Sequence, residues 1–217
     1  MIRKEKIELL KKTVFDMYPD AKTELYHENE FQLLVAILMS AQATDRQVNI
    51  INRNFFEHLK TPEDGMRLWV TEITEFISSV SFFNNKANNI YKTCHILRDK
   101  HNSTPPKTIP ELTKLPGVGI KTAKVFLSVT EKAPFLWVDT HVHRVLNRIG
   151  IVKTKTPLET DKKAAKILSA EDLAPLHNTL VLFWRYHCTA RNPQCESCGV
   201  LYWCTFGKKK TTDLSEK

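Results

Sequence analysis

Four of the five cysteines in this chain of 217 residues lie within one short segment, and they limit the possible folds more than any other feature. They are Cys188, Cys195, Cys198 and Cys204, with the spacing C-x6-C-x2-C-x5-C. Four thiolates this close together repel one another unless a metal centre neutralises them, so the spacing predicts a metal site. Four buried structural cysteines without a metal are the alternative. The fifth cysteine, Cys94, lies on the apolar face of a predicted helix, which indicates a core position.

Two kinds of metal centre accept four cysteine ligands, zinc and a [4Fe–4S] cluster. Structural zinc sites usually contain two C-x2-C pairs, and here only Cys195 and Cys198 form such a pair. The unequal outer spacings therefore favour the cluster. The N-terminal sequence MIRKEKIELLKK lacks the continuous apolar stretch of a signal peptide. We therefore expect thiols or metal ligands rather than disulfides.

The composition is typical of a globular helical protein. Glycine occurs 6 times, whereas average usage of about 7% would give roughly 15. No apolar run approaches the roughly 20 residues that a membrane span needs, so we expect no membrane association. The formal net charge of +8 is compatible with a polyanionic partner.

Helical periodicity recurs along the chain, and no segment shows the alternation typical of β-strands, so the sequence predicts an all-α fold. Residues 33–38 are apolar nearly all round, which predicts a buried helix. Capping patterns mark the ends of three further helices: Thr44 with Gln47, Thr108 with Glu111, and Asp139 with Gly150.

The sequence LPGVGI over residues 115–120 lies between two predicted helices. Gly117 and Gly119 permit a tight hairpin there, because glycine adopts positive φ and allows close backbone approach. The backbone N–H groups of such a hairpin, together with the start of the next helix, can bind a phosphate. An ordinary turn between two helices is the alternative.

Lys121 and Asp139 are candidate catalytic residues with common structural alternatives. Lys121 lies in the first turn of the helix after the hairpin, and a neutral lysine amine is a nucleophile that forms Schiff bases. Most lysines are instead solvated surface residues. Asp139 fits a helix N-cap. Its carboxylate could also stabilise positive charge developing on a sugar, as in glycoside hydrolysis.

Three motifs together resemble the endonuclease III family of helix–hairpin–helix DNA glycosylases with AP-lyase activity. They are LPGVGIKTA (residues 115–123), VDTHVHRV (138–145) and the four-cysteine tail, and LMSAQATD (38–45) and NNKA (84–87) extend the match. The resemblance implies two helical lobes flanking a DNA-binding cleft. One would be a six-helix barrel with the helix–hairpin–helix motif, over residues 22–133. The other would join residues 1–21 to 134–217 and carry a [4Fe–4S] cluster.

The resemblance also implies an activity, base-excision repair of oxidised pyrimidines in duplex DNA. Lys121 would be the nucleophile and Asp139 its essential partner, acting through a Schiff base and β-elimination on a flipped-out nucleotide. Cys188, Cys195, Cys198 and Cys204 would hold the cluster, which would be structural. We expect a monomer that binds double-stranded DNA with damaged bases or abasic sites, in a bacterial cytoplasm at the nucleoid.

Further residues match family positions that contact DNA. Gln42 matches the residue that fills the space left by the flipped base, His141 a position near the catalytic cleft, and Arg191 a loop facing phosphates. His141 has helix-start hydrogen bonding as its alternative, and His143 receives no role. The hairpin contacts would come from Leu115, Gly117, Val118 and Gly119.

One departure from the family pattern lies before Asn84, where the family often has glycine followed by an aliphatic wedge. Here these positions are Ser81 and Phe82. Because serine tolerates positive φ poorly, we expect a different bend in this loop. Phe82 could still wedge between bases, as apolar side chains do in other complexes. Its alternative is a core aromatic beside Phe83.

Three rival functions fit parts of the sequence. A monofunctional mismatch glycosylase on the same scaffold would typically lack a lysine at position 121. A non-catalytic DNA-binding or redox-sensing iron–sulfur protein is compatible with the cysteine spacing alone, as is a zinc-stabilised binding module. The presence of both Lys121 and Asp139 favours the bifunctional enzyme.

Overall fold

The structure is a computed structural model that describes residues 3–208. Over this range the chain is helical and contains no β-strand. None of the helices within it combines the length and hydropathy of a transmembrane span. The chain divides into two compact units. One unit is Glu24–Ala133, and the other joins the chain up to Thr23 to the chain from Pro134 onwards.

Eleven α-helices follow one another between residues 3 and 208. They are α1 (Arg3–Met17), α2 (Glu30–Ser40), α3 (Asp45–His58), α4 (Pro62–Arg67), α5 (Val70–Ile77), α6 (Phe83–His101), α7 (Ile109–Leu112), α8 (Ile120–Thr130), α9 (Thr140–Ile149), α10 (Pro157–Ile167) and α11 (Ala170–Leu182). A π-helical turn, Phe183–His187, continues α11, and a 3₁₀ turn follows at Leu201–Trp203.

Helix α2 is the centre of the Glu24–Ala133 unit. Its residues 31–39 are all buried, which confirms the buried helix predicted from the apolar run. The helix contacts α3, α6 and α8, so it supports the helix that carries Lys121. Cys94 on α6 is fully buried, as predicted, and burial raises the pKa of its thiol to about 12.

The other unit has a separate apolar core, built mainly from α1, α9 and α11. Leu10 and Val14 of α1 belong to the same cluster as Val145 of α9 and Leu180 of α11. The Lys11 ammonium pairs with the carboxylate of Asp172 at 2.7 Å, which ties α1 to the start of α11. This core fixes α9, and thereby the position of Asp139 at its N-terminus.

The predicted helix ends are only partly confirmed. Asp139 caps α9, and Gly150 ends it in the left-handed region at φ 84°. Thr44 accepts a hydrogen bond from the Gln47 N–H, but the Gln47 side chain donates to the Ser79 carbonyl instead of returning to the cap.

The second predicted capping box is likewise half formed. Thr108 Oγ1 accepts from the Glu111 N–H at 3.4 Å, while the Glu111 carboxylate pairs with Lys114 at 2.6 Å. In both capping boxes, the side chain that would return to the cap residue is therefore bound elsewhere, by a distant carbonyl in the first box and by a neighbouring lysine in the second.

Candidate functional site

The glycine hairpin joins α7 to α8 through a tight turn. The Val118 N–H donates to the Leu115 carbonyl at 3.1 Å, and Gly117 adopts a left-handed φ of 77°. A Cβ at Gly117 would lie 2.6 Å from Asn89 Nδ2, so both backbone conformation and space require glycine there. Gly119 then forms the N-cap of α8.

Leu115 and Val118 lie in the hairpin with their side chains directed into the protein. Their side chains are 2% and 5% exposed, because both pack into the apolar core under the hairpin. The predicted contacts of these two residues with DNA would therefore involve their backbone atoms.

Gly119 differs from Gly117 because nothing in the described part of the chain requires a glycine at position 119. Its φ is −88°, and a Cβ there would meet no atom within 4 Å. Gly117, Gly119 and Ile120 are exposed, and their N–H groups have no acceptor among residues 3–208. Because these donors lie at the positive end of α8, the rim of the hairpin can bind an anion.

Lys121 follows this rim in the first turn of α8. Ala123, Phe126 and Leu127 are buried and anchor the helix, whereas Lys121 is exposed. The sequence folds this way because the apolar residues of α8 recur with helical spacing on the side that contacts α2. The amine is therefore carried by a rigid, well-packed helix.

Asp139 is held at the N-terminus of α9 through one of its two carboxylate oxygens. Oδ1 accepts hydrogen bonds from the backbone N–H groups of His141 and Val142, both at 2.8 Å. Oδ2 has no hydrogen-bond partner in the described part of the chain. The N-cap thus fixes the orientation of the carboxylate and leaves one half-buried oxygen for chemistry.

The side chain of His141 packs against residues of its own compact unit. Its ring stacks on Trp184 with centroids 3.8 Å apart and planes within 6°. Nδ1 lies 3.0 Å from Arg144 Nη1, and because a guanidinium only donates, Nδ1 must be the acceptor. Arg144 Nη2 also donates to the Cys188 carbonyl at 3.2 Å. Hydrogen bonds therefore connect the helix that Asp139 caps to the cysteine segment.

His143 has a structural role. Its Nδ1 lies 2.6 Å from Thr160 Oγ1 and 3.1 Å from Asn147 Nδ2, which joins α9 to α10. The sequence assigned nothing to this residue, and its ring contacts belong to a polar network between α9 and α10.

Arg148 fastens the segment after Cys188 to α9. Its guanidinium donates to the carbonyls of Thr189 at 2.7 Å and Ala190 at 2.8 Å, and it lies over the Phe206 ring at 4.2 Å. The exposed Arg191 follows directly. Arg144 and Arg148 were both missed from the sequence, although their i, i+4 spacing places them on one face of α9.

The four clustered cysteines line one recess of about 330 Å³. Within residues 3–208, no three His, Cys, Asp or Glu side chains converge on a point where a single metal ion could bind. Four cysteine sulfurs around one recess fit a metal centre held by these residues.

The chemistry of the sulfurs agrees with this fit. Burial, with smaller contributions from the other three cysteines, raises the pKa of the Cys198 thiol to about 11. Arg148 Nη1 lies 3.7 Å from Cys188 Sγ, and the Gly207 N–H donates to Cys204 Sγ at 3.2 Å. These donors favour thiolates, which a metal centre stabilises by displacing the thiol protons.

Five non-glycine residues in the described part of the chain have a left-handed backbone conformation. Two of them are the exposed candidate DNA contacts Gln42, after α2, and Phe82, before α6, both with φ of 59°. A left-handed conformation costs a non-glycine residue about 1–2 kcal/mol and is often found at functional sites. The bend lies at Phe82 and not at Ser81. Phe82 is 62% exposed, so the alternative of a core aromatic is wrong.

Family models match two segments of the chain. Residues 35–170 match the model described as HhH-GPD superfamily base excision DNA repair protein. Residues 188–204, which span the four cysteines, match the iron–sulfur binding domain of endonuclease III.

Curated relatives match over nearly their whole length. Endonuclease III of Bacillus subtilis is 39% identical over 211 residues, which cover 97% of this chain and 96% of that protein. Endonuclease III of Escherichia coli K12 is 39% identical over 191 residues, which cover 88% of this chain and 90% of that protein.

Solved structures agree with the sequence relatives. A non-covalent endonuclease III–DNA complex has a TM-score of 0.88 at 41% identity and covers 98% of this chain and 100% of that one. A trapped endonuclease III–DNA covalent intermediate has a TM-score of 0.88 at 42% identity, with coverage of 97% and 100%. The all-helical fold class and the cluster expected from the sequence are thereby confirmed. This chain belongs to the endonuclease III family of base-excision-repair DNA glycosylases and AP lyases, whose cofactor is a [4Fe–4S] cluster.

Proposed function

We propose that this protein releases oxidised pyrimidines from duplex DNA and then cleaves the strand at the resulting site, with Lys121 as nucleophile and Asp139 as its partner. The observation that carries the assignment is the pair of local environments: an exposed amine on a rigid helix beside an anion-binding hairpin, and a carboxylate fixed through one oxygen only.

In the first stage, Lys121 Nζ attacks C1′ of a nucleotide flipped out of the duplex. The N-glycosidic bond breaks, and the base leaves with the bonding electron pair. Positive charge develops on the sugar as this bond lengthens. Oδ2 of Asp139 stabilises that charge and accepts the proton that the attacking amine gives up.

In the second stage, the sugar ring opens and the C1′–N bond becomes an iminium ion. The iminium acidifies the 2′ proton, which passes to solvent, and the electron pair left on C2′ forms the C1′–C2′ double bond of an enamine. This pair then moves to form the C2′–C3′ double bond as the C3′–O bond breaks, and the phosphate leaves with the electron pair of that bond. The strand is thereby nicked while the sugar remains bound to Lys121 until the imine hydrolyses.

The DNA backbone is proposed to bind at the rim of the hairpin. The N–H groups of Gly117 and Gly119 are suited to phosphate oxygens, and such contacts hold the duplex without reading its sequence. Gln42 and Phe82 would enter the base stack around the extruded nucleotide, and Arg191 would contact a phosphate from the loop that Arg148 fastens.

Cys188, Cys195, Cys198 and Cys204 would hold the cluster in the recess that they line. When bound, the cluster cross-links the C-terminal segment and supplies no step of the reaction. Arg144 and Arg148 hold the adjoining backbone.

Some expectations from the resemblance stay predictions. These are the DNA-binding cleft flanked by the two helical units, and the monomeric state. The curated relatives described above are bacterial. We propose that this protein acts in a bacterial cytoplasm, at the nucleoid.

Borohydride trapping tests the proposed chemistry and substrate together. We expect holoenzyme incubated with thymine glycol duplex and borohydride to become covalently joined to the DNA, because borohydride reduces the imine. An abasic duplex should trap as well, and undamaged duplex should not. Base release without trapping on a mismatch or uracil duplex would instead support a monofunctional glycosylase.

A pair of glycine variants tests the phosphate site. Gly119→Ala should weaken binding to abasic duplex by about tenfold, since its Cβ occupies open space that a phosphate would enter, with melting temperature nearly unchanged. Gly117→Ala should lower the free energy of unfolding by about 1–3 kcal/mol, because its φ is left-handed and Asn89 is in the way. Unchanged DNA affinity of Gly119→Ala would contradict the site.

A further inference from the structure

Two loops of the Glu24–Ala133 unit each carry one exposed residue in the left-handed region. Gln42 lies in the loop between α2 and α3, and Phe82 lies directly before α6. Such conformations persist only where the surrounding structure imposes them. Contacts at both loops converge on one buried residue of α6.

That residue is Lys86, which contacts both loops. Its backbone N–H donates to the Phe82 carbonyl at 3.0 Å in the first turn of α6. Its ammonium donates to the carbonyls of Met39 at 2.8 Å and Ala41 at 2.7 Å. Ala41 directly precedes Gln42, so one residue binds the backbone at Phe82 and the backbone adjoining Gln42.

The environment of Lys86 is unusual for a lysine. The residue is only 7% exposed, and burial lowers the pKa of its amine. Within residues 3–208 its side-chain hydrogen bonds go to main-chain carbonyls and to no carboxylate. These carbonyls lie at the C-terminal end of α2, where the helix dipole favours a cation.

A second contact connects the same two loops independently. Gln47, in the first turn of α3, donates from its side chain to the carbonyl of Ser79, three residues before Phe82. The two loops are therefore joined by side-chain-to-backbone hydrogen bonds in both directions. Burying an ammonium is costly, and an apolar side chain would fill the same space in a core. The presence of a charged side chain at this buried position therefore indicates a role in orienting the two carbonyls that it binds.

We propose that Lys86 is a positioning residue, which holds Gln42 and Phe82 in the arrangement that enters the DNA stack. This inference rests on the proposed function, in which those two residues fill and wedge the duplex. Lys86 itself touches neither the substrate nor the reacting atoms.

A double-mutant cycle tests the inference in the holoenzyme. The single-turnover rate of base release from a thymine glycol duplex is measured for Lys86→Met in the wild-type background and in a Gln42→Ala/Phe82→Ala background. We expect a loss of about tenfold or more in the first background and less than twofold in the second. Lys92→Met is the control, because it removes an exposed lysine from the same helix and should keep the wild-type rate.

A spectroscopic readout accompanies the rates. With 2-aminopurine opposite the lesion, insertion by wild-type protein should raise its fluorescence, and Lys86→Met should reduce that rise while the cluster absorbance stays unchanged. Should Lys86→Met not yield folded holoenzyme, Lys86→Gln, which keeps an amide donor group on a shorter side chain and removes the charge, replaces it in the cycle.

The outcomes separate this inference from the proposed function. Equal losses in both backgrounds would mean that Lys86 acts only on stability, which overturns its positioning role and leaves the proposed function intact. A Gln42→Ala/Phe82→Ala variant with wild-type rate and fluorescence would instead overturn the insertion of those residues, and the positioning role with it.

Discussion

Replacement of Lys121 by alanine is expected to abolish borohydride trapping on abasic DNA and to slow strand cleavage by about 10³-fold or more. The covalent intermediate requires an amine at this position, and the other lysine of α8, Lys124, lies about one turn further from the hairpin. The fold should be unaffected, because Lys121 is exposed and α8 is anchored by its buried face. Trapping yield and single-turnover cleavage measure the effect.

The matched control is Lys114→Ala, which removes an exposed lysine from the chain just before the hairpin. This variant loses the same charge and should trap like wild type. Lys121→Ala should also keep its affinity for abasic duplex to within a few-fold, since the phosphate contacts remain. Efficient trapping by Lys121→Ala would mean that another amine is the nucleophile.

Asp139→Asn should reduce the base-release rate by about 10²- to 10³-fold while leaving stability nearly unchanged. Asparagine keeps the oxygen that caps α9 through the N–H groups of His141 and Val142, but it removes the negative charge. Single-turnover kinetics and thermal unfolding of the same sample separate the two effects.

Asp139→Ala provides the comparison, because it removes both the charge and the cap. We expect a similar loss of rate together with about 0.5–2 kcal/mol lower stability. If Asp139→Asn released bases at the wild-type rate, the carboxylate would act only as a helix cap, and the catalytic assignment would be withdrawn.

The parts of the fold that were predictable depend on local interactions. Asp139 and Gly150 could be predicted as the ends of α9 because each forms its capping bonds with residues only a few positions away along the chain. The two capping boxes were half wrong for the opposite reason. The side chain of Gln47 finds a carbonyl 32 residues away, and Glu111 finds a neighbouring lysine. Such competition depends on contacts that helical periodicity does not contain.

The residues of the candidate site also divide into those that the sequence predicts and those that only the structure reveals. The cysteines were predicted from their spacing along the chain, and Lys121 from its place in a motif that resembles the family. Lys86, Arg144 and Arg148 were not, since each acts largely on main-chain carbonyls of distant segments. Every residue has a carbonyl, so no particular residue type marks the acceptor in the sequence. The buried side chains of Leu115 and Val118 likewise required the packed structure.

The segment that begins at Cys188 would be attached in two ways, through the Cys188 sulfur to the cluster and through backbone carbonyls to Arg148. Only the first of these attachments depends on iron. The sulfur of Cys188 would be released from the cluster, while the carbonyls of residues 189 and 190 stay bound to Arg148. We therefore expect the iron-free protein to keep this stretch of backbone in place as a scaffold. Reassembly would then begin from a partly organised ligand set instead of from a random coil.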